Sequence, residues 1–295
     1  MASTRQILQR RKAAANIAKV TNTMETISAV RYRHYYKQWL EGRDFYDSLA
    51  RMAYLMVTAE ETIKHPLLVS NTADKNALLV IGSDRGLCGA YNGNLNRLVD
   101  VHINMAKRFN KKLDIYVQGA KAAAHLSGKG IEVVKQYTDF NEVPSPEQAR
   151  EIGEYFVKQY VDDQIGRLSI VYTRFFSAAG QQAQTLSTLP LIDLIDDLTT
   201  RSTVMWPWEL VFEDFMLSPS ADELFESIAT MMVNTTISGC FLEAALSEHL
   251  GRVVAMRSAT DNAEEMIQDL TREYNRARQG QITNELLDII GGTLN

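Results

Sequence analysis

From Ser220 to Asn295 the chain contains no proline, and its residues are dominated by Ala, Leu, Glu, Met, Arg and Gln, the strongest helix formers. Pro219, Ser220, Asp222 and Glu223 read as a helix start with acids in the first turn. Gly291 and Gly292 read as its stop. A continuous helix of that length would extend about 100 Å at 1.5 Å per residue, far beyond an ordinary globular helix. It cannot bury itself, so it needs a partner helix, a surrounding sleeve of other chains, or both.

The amino terminus offers the partner. No proline occurs from Thr4 to about Ile63. Ile17, Val20, Met24 and Ile27 recur at steps of three and four, a coiled-coil spacing, and the expected packing seam. The seam gives way to charge at Arg31, as suits a helix whose far side meets another protein. Gly42 is expected to loosen or interrupt this helix, and His65-Pro66 to end it. Charge is divided between the ends. Residues 1–39 carry eight Lys/Arg (Arg5, Arg10, Arg11, Lys12, Lys19, Arg31, Arg33, Lys37) against Glu25, a net +7, whereas residues 219–295 carry five Arg against twelve Asp/Glu, a net −7. Opposite signs suit two helices lying side by side. They weigh against a free basic arm for nucleic acid or membrane. In the same helix, Ile267, Leu270, Tyr274 and Ala277 continue an apolar seam. Ile282, Leu286 and Ile289 carry it on after a shift of phase near Gly280.

Between the ends the period changes. Asn76–Ser83 is a short apolar run reading as a buried strand, and Ser83–Asn92 a loop before a helix over Asn94–Phe109. Leu113–Gln118, Ile131–Val134 and Leu168–Thr173 read as further strands. Gly119–Leu126 reads as a short helix, and Pro144-Ser-Pro146 opens another reaching Val161. Gln181–Thr188 and Trp206–Phe215 are candidate strands or loops, the second an edge segment because it contains Pro207. The expected fold class is therefore α/β. A long antiparallel coiled coil of N- and C-terminal helices (1–63 and 219–295) carries an inserted Rossmann-like α/β domain (64–218) with a mainly parallel sheet.

With 45% hydrophobic and 23% charged residues the composition is that of an ordinary water-soluble chain. No apolar run approaches the ~20 residues that span a bilayer. Neither a signal core nor a transit segment is read at the start, and the two cysteines, Cys88 and Cys240, fit a reducing cytosol. The loop Ser83-Asp84-Arg85-Gly86-Leu87-Cys88-Gly89 is the strongest enzyme-like signal, since glycine loops after strands can cradle phosphate. It lacks the Lys-Ser/Thr of a P-loop and the spacing of a dinucleotide fingerprint, and reads better as a tight strand-to-helix turn. The five histidines form no cluster, and no metal spacing appears. Asp193, Asp196 and Asp197 read as a solvated turn. No catalytic, metal or cofactor-binding residue is expected. Mid-helix Thr260, Asp261 and Asn262 compete for backbone bonds, which fits either a locally tolerated polar face or contact with another subunit.

Met256-Arg257-Ser-Ala-Thr260-Asp261-Asn262-Ala263, Tyr274–Gln279 and Ile282–Gly292 together resemble the gamma subunit of F-type ATP synthase. Asp84, Arg85 and Gly86 in the loop, and the run from Met24 to Arg33, support the resemblance. It implies a rotor without catalytic residues or a small-molecule ligand of its own, turned by ion flow through a ring of c subunits. The implied partners are three alpha and three beta subunits, epsilon and the c-ring, with no nucleic acid. Position by position, it implies beta contacts at Met24, Arg31, Arg33, Arg252, Gln279, Thr283 and Glu285. Glu25 stands where the family carries a basic residue, so the electrostatic contact with beta is expected to be weaker or re-matched. Asn22, Thr23 and Gly292 depart as well. Without a transit peptide or a chloroplast-type cysteine insert, the implied location is peripheral, on the cytoplasmic face of a bacterial inner membrane. Two other readings stay open: a divergent paralogue with altered ion or regulatory behaviour, and a nucleotide-binding α/β enzyme.

Overall fold

The computed structural model describes residues 4–58, 63, 65–178, 180–201, 218 and 220–292; the side chains of 58, 199–201, 284, 285 and 288–292 fall outside it. Two helices dominate, α1 (Thr4–Thr58) and α6 (Ala221–Gly292). Between them lie β1 (Lys75–Ile81), α2 (Tyr91–Arg108), β2 (Lys112–Gln118), α3 (Ala120–Gly128), β3 (Lys135–Tyr137), α4 (Pro146–Val161), β4 (Arg167–Ser177), β5 (Gly180–Leu189) and α5 (Leu191–Arg201). The chain divides into two compact units: residues 1–30 with 252–295, and residues 31–251.

The larger unit is built on one sheet in the order β3-β2-β1-β4-β5. β1 pairs in parallel with β2 and β4, β2 with β3, and only β5 runs antiparallel, against β4. Ala77 to Ile81 are all buried, as a central parallel strand covered on both faces requires. Alternate side chains face opposite ways. Leu78, Val80, Ile115, Val117 and Val171 pack with Leu95, Val99 and Ile103 of α2 and Ala122 and Leu126 of α3. Leu79, Ile81, Tyr116 and Ile170 pack with Phe156 of α4 and with Phe225, Val233, Ile237 and Phe241 of α6. Local chemistry sets the helix starts. Ser145 accepts from the Gln148 amide in a capping box with Pro146 in the first turn, and Ser220 accepts from the Glu223 amide.

Several expectations need correction. The third strand is Lys135–Tyr137 and not Ile131–Val134; the Val134 amide donates to Ile115 O, but the run forms no ladder of its own. Asp193, Asp196 and Asp197 lie on helix α5 instead of a solvated turn. Its apolar side buries Leu191, Leu194 and Ile195, and Asp193 pairs with Arg167 at 3.0 Å. Gly42 does not interrupt α1. A Cβ there would meet the Tyr46 ring at 3.0 Å, and one at Gly239 of α6 would meet the same ring at 3.4 Å, so both glycines make room for Tyr46. Trp206–Phe215 lies outside the described residues.

Candidate partner-binding surfaces

In the smaller unit the two helices pair antiparallel. Thr21 Oγ1 lies 2.7 Å from Thr260 Oγ1, Glu25 3.7 Å from Arg257, the Arg11 guanidinium 5.8 Å from the Tyr274 ring centre, and Thr4 3.5 Å from Gln281. The partners of α1 thus fall as those of α6 rise. The inward positions of α1 are Ile7, Arg11, Ala14, Ala18, Thr21, Glu25 and Ser28, an unbroken alternation of three and four. Those of α6 are Met256, Thr260, Ala263, Ile267, Leu270, Tyr274 and Ala277.

This corrects the expected seam on α1. Ile17, Val20 and Ile27 are 54%, 56% and 57% exposed, whereas Ile7 is 1% exposed. Small side chains at Ala14, Thr21, Ser28 and Ala263 are buried between the helices. Met24 and Val30 face outward with Ile17, Val20 and Ile27, whereas Ile7 packs inward. On α6, Val254, Met266, Ile282, Leu286 and Leu287 are likewise exposed. Beyond Ala277, every described side chain of α6 is exposed.

The motif residues divide between the two faces. Met256 and Thr260 are buried in the seam, while Arg257, Asp261 and Asn262 face out. Gln279 and Thr283 are exposed, with the Thr283 hydroxyl donating to Gln279 O at 2.9 Å. Glu285 and Ile289 lie outside the described side chains. Arg252 is 7% exposed within the chain. Glu25 occupies an inward heptad position and pairs within the chain with Arg257.

In the larger unit, the Ser83–Asn92 loop is built as a turn. Leu87 and Gly89 have φ of 63° and 62°. Asp84 Oδ1 accepts from the Ala120 amide at 2.9 Å, capping α3, whose own N-cap residue Gly119 supplies no side chain. Asn92 Nδ2 donates to the buried Cys88 Sγ at 3.2 Å. In an open sheet of this kind, ligands enter at the carboxyl ends of the strands where strand order reverses, here between β1 and β4. Helix α6 packs beside the loop that leaves β1. Tyr91 OH donates to Ala244 O at 3.3 Å, and a Cβ on Gly251 would sit 2.9 Å from Cys88 O.

Arg31 and Arg33 are exposed on α1, and Arg31 also interacts with Tyr35. A cluster that sequence reasoning missed lies beside them. Glu142 Oε2 accepts from Tyr35 OH at 2.8 Å and from His249 Nε2 at 3.0 Å. The Tyr35 and His249 rings stack, with centroids 5.7 Å apart. Burial alone would raise the Glu142 carboxyl; the His249 bond and charge, the Tyr35 hydroxyl and the Arg31 charge together hold it down to about 2. No local motif marks this cluster, because its members are far apart in the chain.

A family model described as ATP synthase matches residues 3–294. The ATP synthase gamma chain of Rhodopirellula baltica is 32% identical over 293 residues, spanning 99% of this chain and 98% of the relative. That of Mycobacterium sp. (strain KMS) is 34% identical over 306 residues, spanning 99% and 96%. Among solved structures, the rotor of Euglena gracilis mitochondrial ATP synthase in rotational state 1 aligns with a TM-score of 0.64 at 20% identity, covering 95% of this chain and 98% of that one. The central stalk of the Tetrahymena thermophila enzyme aligns with a TM-score of 0.55 at 17% identity, covering 81% and 99%. The two structures share the fold. The chain belongs to the ATP synthase family, among its gamma chains.

Proposed function

We propose that this chain is the central rotor shaft of an F-type ATP synthase. The paired ends (1–63 and 219–295) turn inside a ring of three alpha and three beta subunits, and the α/β domain (64–218) meets epsilon and the c-ring. The observation that carries this reading is the outer face of the coiled coil in the smaller unit: Ile7, Ala14, Thr21, Ser28, Met256, Ala263 and Leu270 fill the inside, yet Ile17, Val20, Met24, Ile27, Ile282 and Leu286 remain outside. Such apolar surface calls for a surrounding partner. Contacts of this kind are non-directional, so they allow turning without trapping one angle. The chain itself is read as non-catalytic. Support comes from α6 lying beside the β1 loop at the edge where a sheet like this takes ligands. The bacterial relatives favour the cytoplasmic face of an inner membrane, where the chain is peripheral. Among the described residues no helix is long and apolar enough to cross a membrane.

Rotation tests the reading. Cys88 and Cys240 are both buried, so a thiol introduced by Lys107→Cys, on the exposed side of α2, is the reactive handle. A bead on that thiol, in a complex with alpha and beta subunits fixed to glass, should turn in one direction when ATP is added. A bead that stays still on an ATP-hydrolysing complex refutes the shaft.

Of the charged candidates for the beta contact, Arg31 and Arg33 keep exposed side chains. Exposed ion pairs contribute about 0.5 kcal/mol each. Replacing both with Ala should therefore lower ion-driven ATP synthesis by up to about fivefold while assembly survives. Unchanged synthesis in the double variant removes these arginines from the contact.

A further inference from the structure

Within the larger unit, one carboxylate joins three elements that are otherwise held mainly by apolar packing. Glu142 lies between β3 and α4. Its neighbour Asn141 is tied to the sheet, where Gln118 Nε2 at the end of β2 donates to Asn141 O at 3.0 Å. Phe140 sets its ring against Phe241 of α6 at 5.3 Å and 89°. From this anchored segment, Glu142 Oε2 receives Tyr35 OH of α1 and His249 Nε2 of α6. Tyr35 and His249 are both buried, and each lies within five residues of the point where its helix passes into the other unit.

Apolar contacts resist separation but not sliding, because they have no preferred direction. Hydrogen bonds to a carboxylate lose strength steeply with angle, and charge makes them the strong kind. We propose that Glu142 is a torque-positioning residue, the pin by which the α/β domain grips both long helices at once, with Tyr35 and His249 as its two seats. The proposal rests on the shaft reading. Without the pin, turning force between the domain and the helices falls on apolar surfaces that can creep.

The test uses the assembled complex with the Lys107→Cys handle and beads of increasing drag. With Glu142→Ala, ATP hydrolysis without a bead should match the parent. Rotation against the largest bead should slow at least about twofold, since two charge-assisted bonds are lost. Glu142→Gln, whose amide oxygen still accepts but carries no charge, should recover part of the loaded speed. A lower melting temperature with an unchanged speed-against-drag curve gives Glu142 a merely structural role and overturns the proposal. If Glu142→Ala does not assemble, Tyr35→Phe carries the test; it removes one hydroxyl, and parental loaded speed in that variant overturns the pin equally. A parent complex that never turns refutes the shaft and is distinct from either result.

Discussion

Replacing Gly119 with alanine should cost the larger unit more than about 3 kcal/mol, a large share of the roughly 5–15 kcal/mol that holds a typical domain together. Gly119 has φ of 102°, where a side chain is strained. A Cβ there would lie 2.6 Å from Gly82 C and 2.7 Å from Ser83 N. Both are backbone atoms leaving the central strand, and the Gly82 amide is already committed to Gln118 O at 2.8 Å. Neither can retreat without breaking the crossing of the β1 and β2 exits and withdrawing the Asp84 cap from α3. Gly86 is the control. It belongs to the family motif, yet a Cβ there would meet only Lys121 Cε at 3.8 Å, so Gly86→Ala should cost under about 1 kcal/mol. Denaturant unfolding of the purified chain measures both, and equal midpoints for the two variants would contradict this account.

The second large effect separates two faces of α1. Ile7→Ala removes a side chain buried in the coiled coil and should destabilise the smaller unit by about 2–4 kcal/mol. Ile17→Ala, on the outward face, should change it by less than about 0.5 kcal/mol. Hydrogen exchange of the amides of residues 1–30 reports the stability of this unit without requiring the larger one to unfold. Were Ile17→Ala the more damaging, the heptad assigned here would be in the wrong phase.

That contrast also marks where the sequence was legible. Both long helices, the parallel sheet and the Ser145 start of α4 follow from proline placement, helix propensity and strand patterning, all of them local signals. The phase of the coil does not. A search for large apolar residues finds Ile17, Val20, Met24 and Ile27, but the face that packs carries Ile7 together with the small or polar Ala14, Thr21 and Ser28. Hydrophobicity alone therefore picks the stripe that faces outward. Asp193, Asp196 and Asp197 masked α5 for a related reason. Their charge suggests a solvated turn, while Leu191, Leu194 and Ile195 together carry the buried side of the helix. Glu142, Tyr35 and His249 meet only through the topology, since more than a hundred residues separate Glu142 from each partner, and no spacing rule reaches that far.

The paired hydroxyls of Thr21 and Thr260 carry one more implication. Each also has a carbonyl of its own helix within reach, Ile17 O at 3.0 Å for Thr21 and Met256 O at 2.9 Å for Thr260. When the helices lie together, one hydroxyl donates across the gap and the other donates back to its own backbone. If thermal motion or strain eases the helices apart, both can turn inward, and no hydrogen is left stranded. The fastening can thus open and reseat many times at small cost, as a latch does and a weld does not.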